Sequence, residues 1–127
     1  MKNILALVPL LAIHGAVLAR EITVTESSHQ KTVVLKHDDT LHVALKGNPS
    51  TGYSWDVVSN NNAVLALNNV SFEPFRSGVI GSPGFYTFTF QPTAEKGHSH
   101  LKLAYARPWE KEKKPHSTFK IVVKVQK

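Results

Sequence analysis

Two short segments hold side chains suited to recognising another protein. Asn48-Pro49-Ser50-Thr51-Gly52-Tyr53 combines a proline and a glycine with two hydroxyl residues, a composition that fixes the shape of a turn. Arg107-Pro108-Trp109 places a guanidinium and an indole on either side of a rigid proline, and Arg and Trp are enriched in binding hot spots. A polar run follows, so we expect Trp109 to be exposed. The open alternatives are an ordinary turn at 48–53 and a Trp109 that folds back to cap the domain.

A third segment runs from Arg76 to Gly84 and contains three glycines and a proline. This composition predicts a mobile or tightly turned loop, and Val79 and Ile80 give it exposed apolar character. Loops that leave neighbouring strand ends of a β-sandwich cluster in space. We therefore expect three loops, at 48–53, 78–84 and 107–114, to share one end of the domain.

Catalytic chemistry is not predicted. Histidines, serines and the pair Asp38 and Asp39 could in principle supply a Ser–His–Asp set. The chain has no Gly-x-Ser-x-Gly motif and no cysteine nucleophile. The histidines are better explained as scattered surface residues; those considered are His29, His37, His42, His98, His100 and His116.

A metal site is the second alternative. His98 and His100 lie two residues apart, so on a strand their side chains face the same side and could chelate copper or zinc. No further ligand is fixed by spacing. The sequence therefore predicts neither a metal nor another cofactor.

Alternation of apolar and polar residues with a period of two dominates the chain, which predicts strands. The run 85–90 is the strongest, with aromatic side chains on one face and threonines on the other. The segment 63–67 is predicted as either a strand or one turn of helix, and Asn68-Asn69 as turn-forming residues. The other predicted strands are 22–25, 32–36, 41–45, 55–58, 101–107 and 119–125.

About seven or eight short strands separated by turns predict an all-β, immunoglobulin-like β-sandwich. Trp55 on a middle strand and Tyr105 on a late one are typical of such sandwiches. The chain contains no cysteine, so no disulfide is possible and packing alone must stabilise the domain.

Residues 1–19 are predicted to be a signal peptide. Lys2 supplies the positive charge, 4–13 form an apolar stretch broken by Pro9, and Val17-Leu18-Ala19 supplies a cleavage site. The apolar stretch is too short to span a bilayer, so no membrane anchor is expected. Residues 20–127 then form one domain, in a protein that is exported to the periplasm or secreted.

The net charge of +6 is moderate. A nucleic-acid binder usually concentrates basic residues on one face, whereas the densest cluster here, Lys111-Glu112-Lys113-Lys114, has mixed sign. We therefore expect no nucleic-acid partner, and we expect a monomer.

The three loops together resemble those of the chagasin-like inhibitors of papain-family cysteine peptidases, and the resemblance covers the whole domain. Asn48, Pro49, Thr51, Gly52 and Tyr53 match the family's Asn-Pro-x-Thr-Gly-aromatic motif. Arg107, Pro108 and Trp109 match its Arg-Pro-Trp motif. The middle motif is usually Gly-x-Gly-Gly but here reads Gly81-Ser82-Pro83-Gly84, so position 83 has no N–H to donate.

The resemblance implies a reversible, tight-binding inhibitor that plugs the cleft of a papain-like cysteine peptidase with three loops. Thr51 would lie near the Cys–His pair of the peptidase, and Ser50 would enter the cleft with it. The middle loop, with Gly81, Ser82 and Gly84, would follow the substrate groove on one side. Trp109 would pack on aromatic residues of the enzyme on the other. The alternative is a secreted immunoglobulin-like binding or adhesion module that offers an exposed strand edge.

Overall fold

The fold consists of eight strands in two sheets. A computed structural model of the protein describes residues 18–127. The strands are β1 (Glu21–Val24), β2 (Thr32–Leu35), β3 (Thr40–Gly47), β4 (Ser54–Ser59), β5 (Leu65–Pro74), β6 (Gly84–Pro92), β7 (Gly97–Ala106) and β8 (Ser117–Val125). Single 3-10 turns lie at Glu26–Ser28 and Pro49–Thr51. The prediction of an all-β sandwich is confirmed.

The predicted signal peptide, 1–19, lies outside the described residues except for Leu18 and Ala19, which are both exposed. Within the described range, no helix is both long and apolar enough to cross a membrane.

Each sheet has four strands. One has the order β1-β3-β6-β5 and the other β2-β8-β7-β4. The first two strands, β1 and β2, each run parallel to their neighbour at a sheet edge, and all other pairs are antiparallel. Consecutive strands often lie in different sheets, so several loops cross between the two layers.

The core lies between the sheets and is built by the predicted alternation. On β3, Leu41, Val43 and Leu45 are fully buried, and the aromatic face of β6 packs with them. Trp55 of β4 is also buried, and Tyr105 packs at the margin of the core. Large apolar side chains therefore fill the core of a sandwich that has no disulfide.

Of the two alternatives for 63–67, the strand is confirmed from Leu65 onward, whereas the predicted turn at Asn68-Asn69 was wrong. Instead of turning there, β5 continues from Leu65 to Pro74. Its pairing with β6 shifts register between Leu67 and Asn69, so Asn68 is accommodated in a bulge. The side chain of Asn68 donates to Gln91 on β6 at 2.7 Å. Pairing with β6, whose sequence strongly favours a strand, outweighs the preference of the two asparagines for a turn.

Strand pairing brings the three predicted loops to one end of the sandwich. Gly47 at the end of β3 pairs with Gly84 at the start of β6. Likewise, Ser54 of β4 pairs with Ala106 at the end of β7. The loop 48–53 crosses from one sheet to the other, and the indole nitrogen of Trp55 donates to the carbonyl of Lys46 across this crossing at 2.9 Å.

Candidate functional site

The first loop, 48–53, is held by its own side chains. Asn48 caps the 3-10 turn: its Oδ1 accepts from the backbone N–H of Ser50 at 3.0 Å and from the Ser50 hydroxyl at 2.6 Å. The hydroxyl of Thr51 donates back to the carbonyl of Asn48 at 2.7 Å. Such side-chain caps satisfy backbone groups that a short turn leaves unpaired. Ser50 and Thr51 are nevertheless exposed at the tip.

Gly52 closes this loop in a way that other residues cannot. Its φ of +85° lies in the left-handed region, where a side chain costs free energy. A Cβ atom there would also lie 2.5 Å from Cη2 of Trp109. The glycine therefore allows the backbone to turn and the indole ring of the third loop to lie directly on it.

Two tyrosines support the first loop from the side of the core. The backbone N–H of Asn48 donates to the hydroxyl of Tyr105 at 2.8 Å, and the hydroxyl of Tyr86 donates to the carbonyl of Tyr53 at 3.4 Å. Burial raises the pKa of the Tyr86 hydroxyl. The ring of Tyr53 stacks on Tyr105 with 5.3 Å between centroids.

The third loop, 107–114, is tied to the first through Arg107. Its Nε donates to the carbonyl of Thr51 at 3.1 Å, and its guanidinium carbon lies 4.5 Å from the centroid of the Tyr53 ring. A cation over an aromatic face is electrostatically favourable. Trp109 is 68% exposed, which confirms its predicted exposure and rules out a fully folded-back cap. The following run, Lys111 to Lys114, is exposed as expected.

The middle loop, 78–84, lies against the other flank of the first loop. The amide of Asn48 donates to the carbonyl of Gly81 at 3.2 Å. At the tip of this loop, Ile80 is fully exposed and Val79 is about half exposed. These apolar side chains project beside the first loop.

Two predicted contact residues of the middle loop have internal roles. The hydroxyl of Ser82 is buried; it accepts from the backbone N–H of Arg76 at 3.2 Å and donates to the carbonyl of Pro83 at 2.8 Å. Gly84 is also buried, and a Cβ atom there would overlap the backbone of Glu73. Both residues shape the base of the loop. Their contact with a peptidase stays a prediction.

We define the loop surface as residues 48–53, 78–84 and 107–114. All the predicted site residues lie in it, at one end of the sandwich. The supporting residues Tyr105 and Tyr86 were placed only in the core or on a strand by sequence reasoning, and His116, whose ring meets Tyr53 edge-on, was treated as a scattered histidine. These residues lie far apart along the chain from the loop residues that they contact, so no sequence pattern predicts the contacts.

The possible metal pair lies elsewhere. His98 and His100 are both exposed on the outer face of β7, on the two sides of the buried Ser99. Among residues 18–127, no group of three or more His, Cys, Asp or Glu side chains is placed to hold a metal ion. The two histidines therefore share a face, as predicted, without a third ligand.

Comparison with known proteins identifies the family. The model of the chagasin family of peptidase inhibitors, I42, matches residues 34–123. The chain belongs to the chagasin family. This family match spans five complete strands, β3 to β7, most of β8, and all three loops. The protein is therefore a peptidase inhibitor by family and not an enzyme.

Similar proteins come from the amoeba Entamoeba histolytica. Amoebiasin-2 is 32% identical over 103 residues, which cover 79% of this chain and 83% of that protein. Amoebiasin-1 is 30% identical over 105 residues, or 83% of this chain and all of that protein. The crystal structure of a cysteine protease inhibitor from the same organism superposes with a TM-score of 0.77, 28% identity, and coverage of 87% of this chain and 100% of that chain.

Proposed function

We propose that this chagasin-family protein inhibits papain-like cysteine peptidases by filling their active-site cleft with the loop surface. The observation that carries the proposal is the linkage of three loops into one projecting body. Asn48 joins the middle loop through Gly81, and Arg107 joins the third loop to the first through the carbonyl of Thr51. The description of an Entamoeba relative as a cysteine protease inhibitor supports the class of target.

The shape of the first loop explains how the protein would resist cleavage. Pro49–Thr51 forms a 3-10 turn, whereas a strand-like substrate presents an extended backbone to the groove. The peptide bonds at the tip are thus in a compact turn rather than in the extended geometry. With Thr51 beside the catalytic Cys–His pair, this loop blocks the cleft and offers no bond for attack. Binding is then reversible.

Pre-organisation explains why a small surface is sufficient. The first loop already makes its internal hydrogen bonds before it meets a partner, so little backbone entropy remains to be lost on binding. Trp109 adds a large apolar side chain that packs on enzyme aromatics, a residue type that often dominates interface energy. The middle loop lies along the groove on the opposite flank, with Ile80 at its tip.

Titration of papain with residues 20–127 tests the proposal, and Thr51→Arg is the decisive variant. With the unmodified domain we expect stoichiometric loss of papain activity. With Thr51→Arg we expect an inhibition constant at least about 100-fold higher, because the long charged side chain cannot enter the cleft. Substitutions at binding hot spots have effects of this size. Thr32→Arg is the matched control, since Thr32 is an exposed threonine on β2. No inhibition by the unmodified domain at micromolar concentration would favour the adhesion-module alternative.

A second variant, Trp109→Ala, tests the contact proposed between the third loop and the aromatic residues of the enzyme. We expect inhibition to weaken about 30-fold, the scale of a hot spot worth about 2 kcal/mol. The melting temperature should stay nearly unchanged because the side chain is mostly exposed. Unfolding of this variant would instead make Trp109 part of the core.

We also propose that the protein is exported and cleaved after Ala19. The support is the charge of Lys2, the short apolar stretch 4–13 and the small residue before the cut. The mass of the exported protein measures the cleavage site directly. A product that begins at Arg20 is expected, and retention of residues 1–19 would contradict the proposal.

A further inference from the structure

The start of the domain is bound by one buried carboxylate at the end opposite the loop surface. Asp39 lies in the turn between β2 and β3 and is only 2% exposed. The guanidinium of Arg20 donates to it twice, from Nε to Oδ1 at 3.2 Å and from Nη2 to Oδ2 at 2.6 Å. The backbone nitrogen of Arg20 donates to Oδ1 at 3.3 Å. A further bond, from Thr40 N–H to the carbonyl of Arg20 at 2.8 Å, aligns the entry of β1.

Asp39 is poised to hold a positive charge. A buried carboxylate is costly unless it is paired and hydrogen-bonded. The Arg20 guanidinium holds the pKa of Asp39 below its usual range against the opposing effect of burial. Its Oδ2 has short bonds, from Arg20 at 2.6 Å and from the backbone N–H of Lys36 at 2.8 Å. Within residues 18–127, its Oδ1 has two longer bonds, both from Arg20.

Cleavage after Ala19 changes the chemistry of one of these donors. Hydrolysis of the Ala19–Arg20 amide by a signal peptidase consumes one water; Ala19 leaves with a carboxylate, and the Arg20 nitrogen becomes an amine that takes a proton. An α-amino group with a pKa of about 7.7–8.0 is mostly an ammonium at neutral pH. The donor 3.3 Å from Oδ1 thus changes from a neutral amide into a cation.

We infer that the Asp39 turn is a receptor for the mature N-terminus, in which the new Arg20 ammonium forms an ion pair with Oδ1 and stabilises the processed fold relative to its precursor. The inference goes beyond peptidase inhibition and rests on the proposed cleavage after Ala19. Leader removal is then a stabilising step of maturation as well as a trimming of the chain.

The pH dependence has a definite sign. A cation that gains a partner on folding has a raised pKa, so its stabilising effect is complete below the unfolded pKa and is lost as the pH rises through the folded value. The other charged or titratable groups of the turn and of β1 and β3 are the Arg20 guanidinium, Lys36, His37 with Asp38, and Glu21 with His42. Lys46 lies at the far end of β3. Histidines and carboxylates ordinarily titrate below the pH range in which the α-amino group loses its proton, and Lys and Arg titrate above that range.

Two chains test the inference: one begins at Arg20 and the other at Leu18, which moves the amine away from Asp39. Both contain all eight strands and the whole core. At pH 6.5 we expect the Arg20 chain to melt at least about 4 °C higher, since a tenfold change in the folding constant shifts a domain of this size by about that much. The difference should vanish by pH 10. Equal melting temperatures at pH 6.5, or a difference that persists at pH 10, would overturn the inference.

Asp39→Asn in both chains is the specific control and should abolish the difference. If this variant does not fold, the α-amine pKa of the Arg20 chain, measured from the pH dependence of its acylation rate, decides instead. We expect a higher value in the folded chain than in urea, and equal values would contradict the ion pair. A mature product that begins at a residue other than Arg20 would also contradict it, independently of any result on papain.

Discussion

The first and middle loops lie side by side but are fixed in different ways. In the first loop, Asn48 and Thr51 make hydrogen bonds within the loop, and Tyr105 supports it from the core side. In the middle loop, the side-chain bonds gather at the base, where Ser82 holds Arg76 and Pro83. The tip residues Val79 and Ile80 project into solvent.

This difference teaches how one surface can combine rigidity with adaptability. A loop that is already ordered loses little entropy on binding, which suits the part that enters a cleft of fixed shape. A loop held mainly at its base, with one bond from Asn48 to Gly81 above it, can still adjust its apolar side chains at 79–80 to the groove of a particular target. We therefore expect changes in the first loop to reduce inhibition more than changes at the tip of the middle loop.

Among the variants that compare how the two loops are fixed, the largest effect should come from Gly52→Ala, with Gly78→Ala as its matched control. Both glycines have φ near +80°, but a Cβ atom at Gly52 would meet Trp109, whereas one at Gly78 would meet nothing within 4 Å. Each alanine should lower the free energy of unfolding by about 1–2 kcal/mol through backbone strain. Gly52→Ala should also weaken papain inhibition by about 100-fold, because it displaces both the loop and the indole, whereas Gly78→Ala, at the edge of the loop surface, should weaken it far less.

Urea unfolding and papain titration of the same samples separate the two effects of these glycine variants. Equal losses of inhibition by Gly52→Ala and Gly78→Ala would show that the contact between Gly52 and Trp109 does not shape the binding surface.

Asn48→Ala should have an intermediate effect. It removes the cap of the 3-10 turn and the bond to Gly81, so we expect about 1 kcal/mol less stability, as for other lost caps, and inhibition about tenfold weaker. Asn68→Ala is the control, because the Asn68 side chain is likewise hydrogen-bonded but is exposed and lies in the β5 bulge. It should change stability by about 0.5 kcal/mol or less and leave papain inhibition intact.

Ile80→Ser should have the smallest effect. The side chain is fully exposed in the free protein, so the melting temperature should not fall. Inhibition of papain should weaken about fivefold, which corresponds to roughly 1 kcal/mol of apolar contact. Val34→Ser removes a partly exposed apolar side chain on β2 and should leave inhibition unchanged. A loss with Ile80→Ser larger than with Asn48→Ala would reverse the proposed division between the loops.

Much of the fold follows from sequence because its strands carry local patterns. The alternation of Leu41, Val43 and Leu45 places one face of β3 in the core. The same reasoning failed at Asn68, because a bulge opposite β6 depends on the neighbouring strand and not on local preference.

The loop motifs were visible in the sequence, whereas the bonds that join them were not. Arg107 and Thr51 lie 56 positions apart and meet only because β4 and β7 are paired. Likewise, the exposed motif residue Thr51 and the buried Ser82 look alike in sequence as hydroxyl residues beside glycine. Only the packing of the loop base separates them.

The most direct test of the central claim is amide hydrogen exchange of residues 20–127 with and without catalytically inactive papain. If the loop surface fills the cleft, papain should slow the hydrogen exchange of backbone amides in 48–53, 78–84 and 107–114. The opposite end of the sandwich, at 36–39 and 93–96, should exchange as in the free protein. Protection at that opposite end, or along the exposed edge of β5, with the three loops unchanged, would contradict the account.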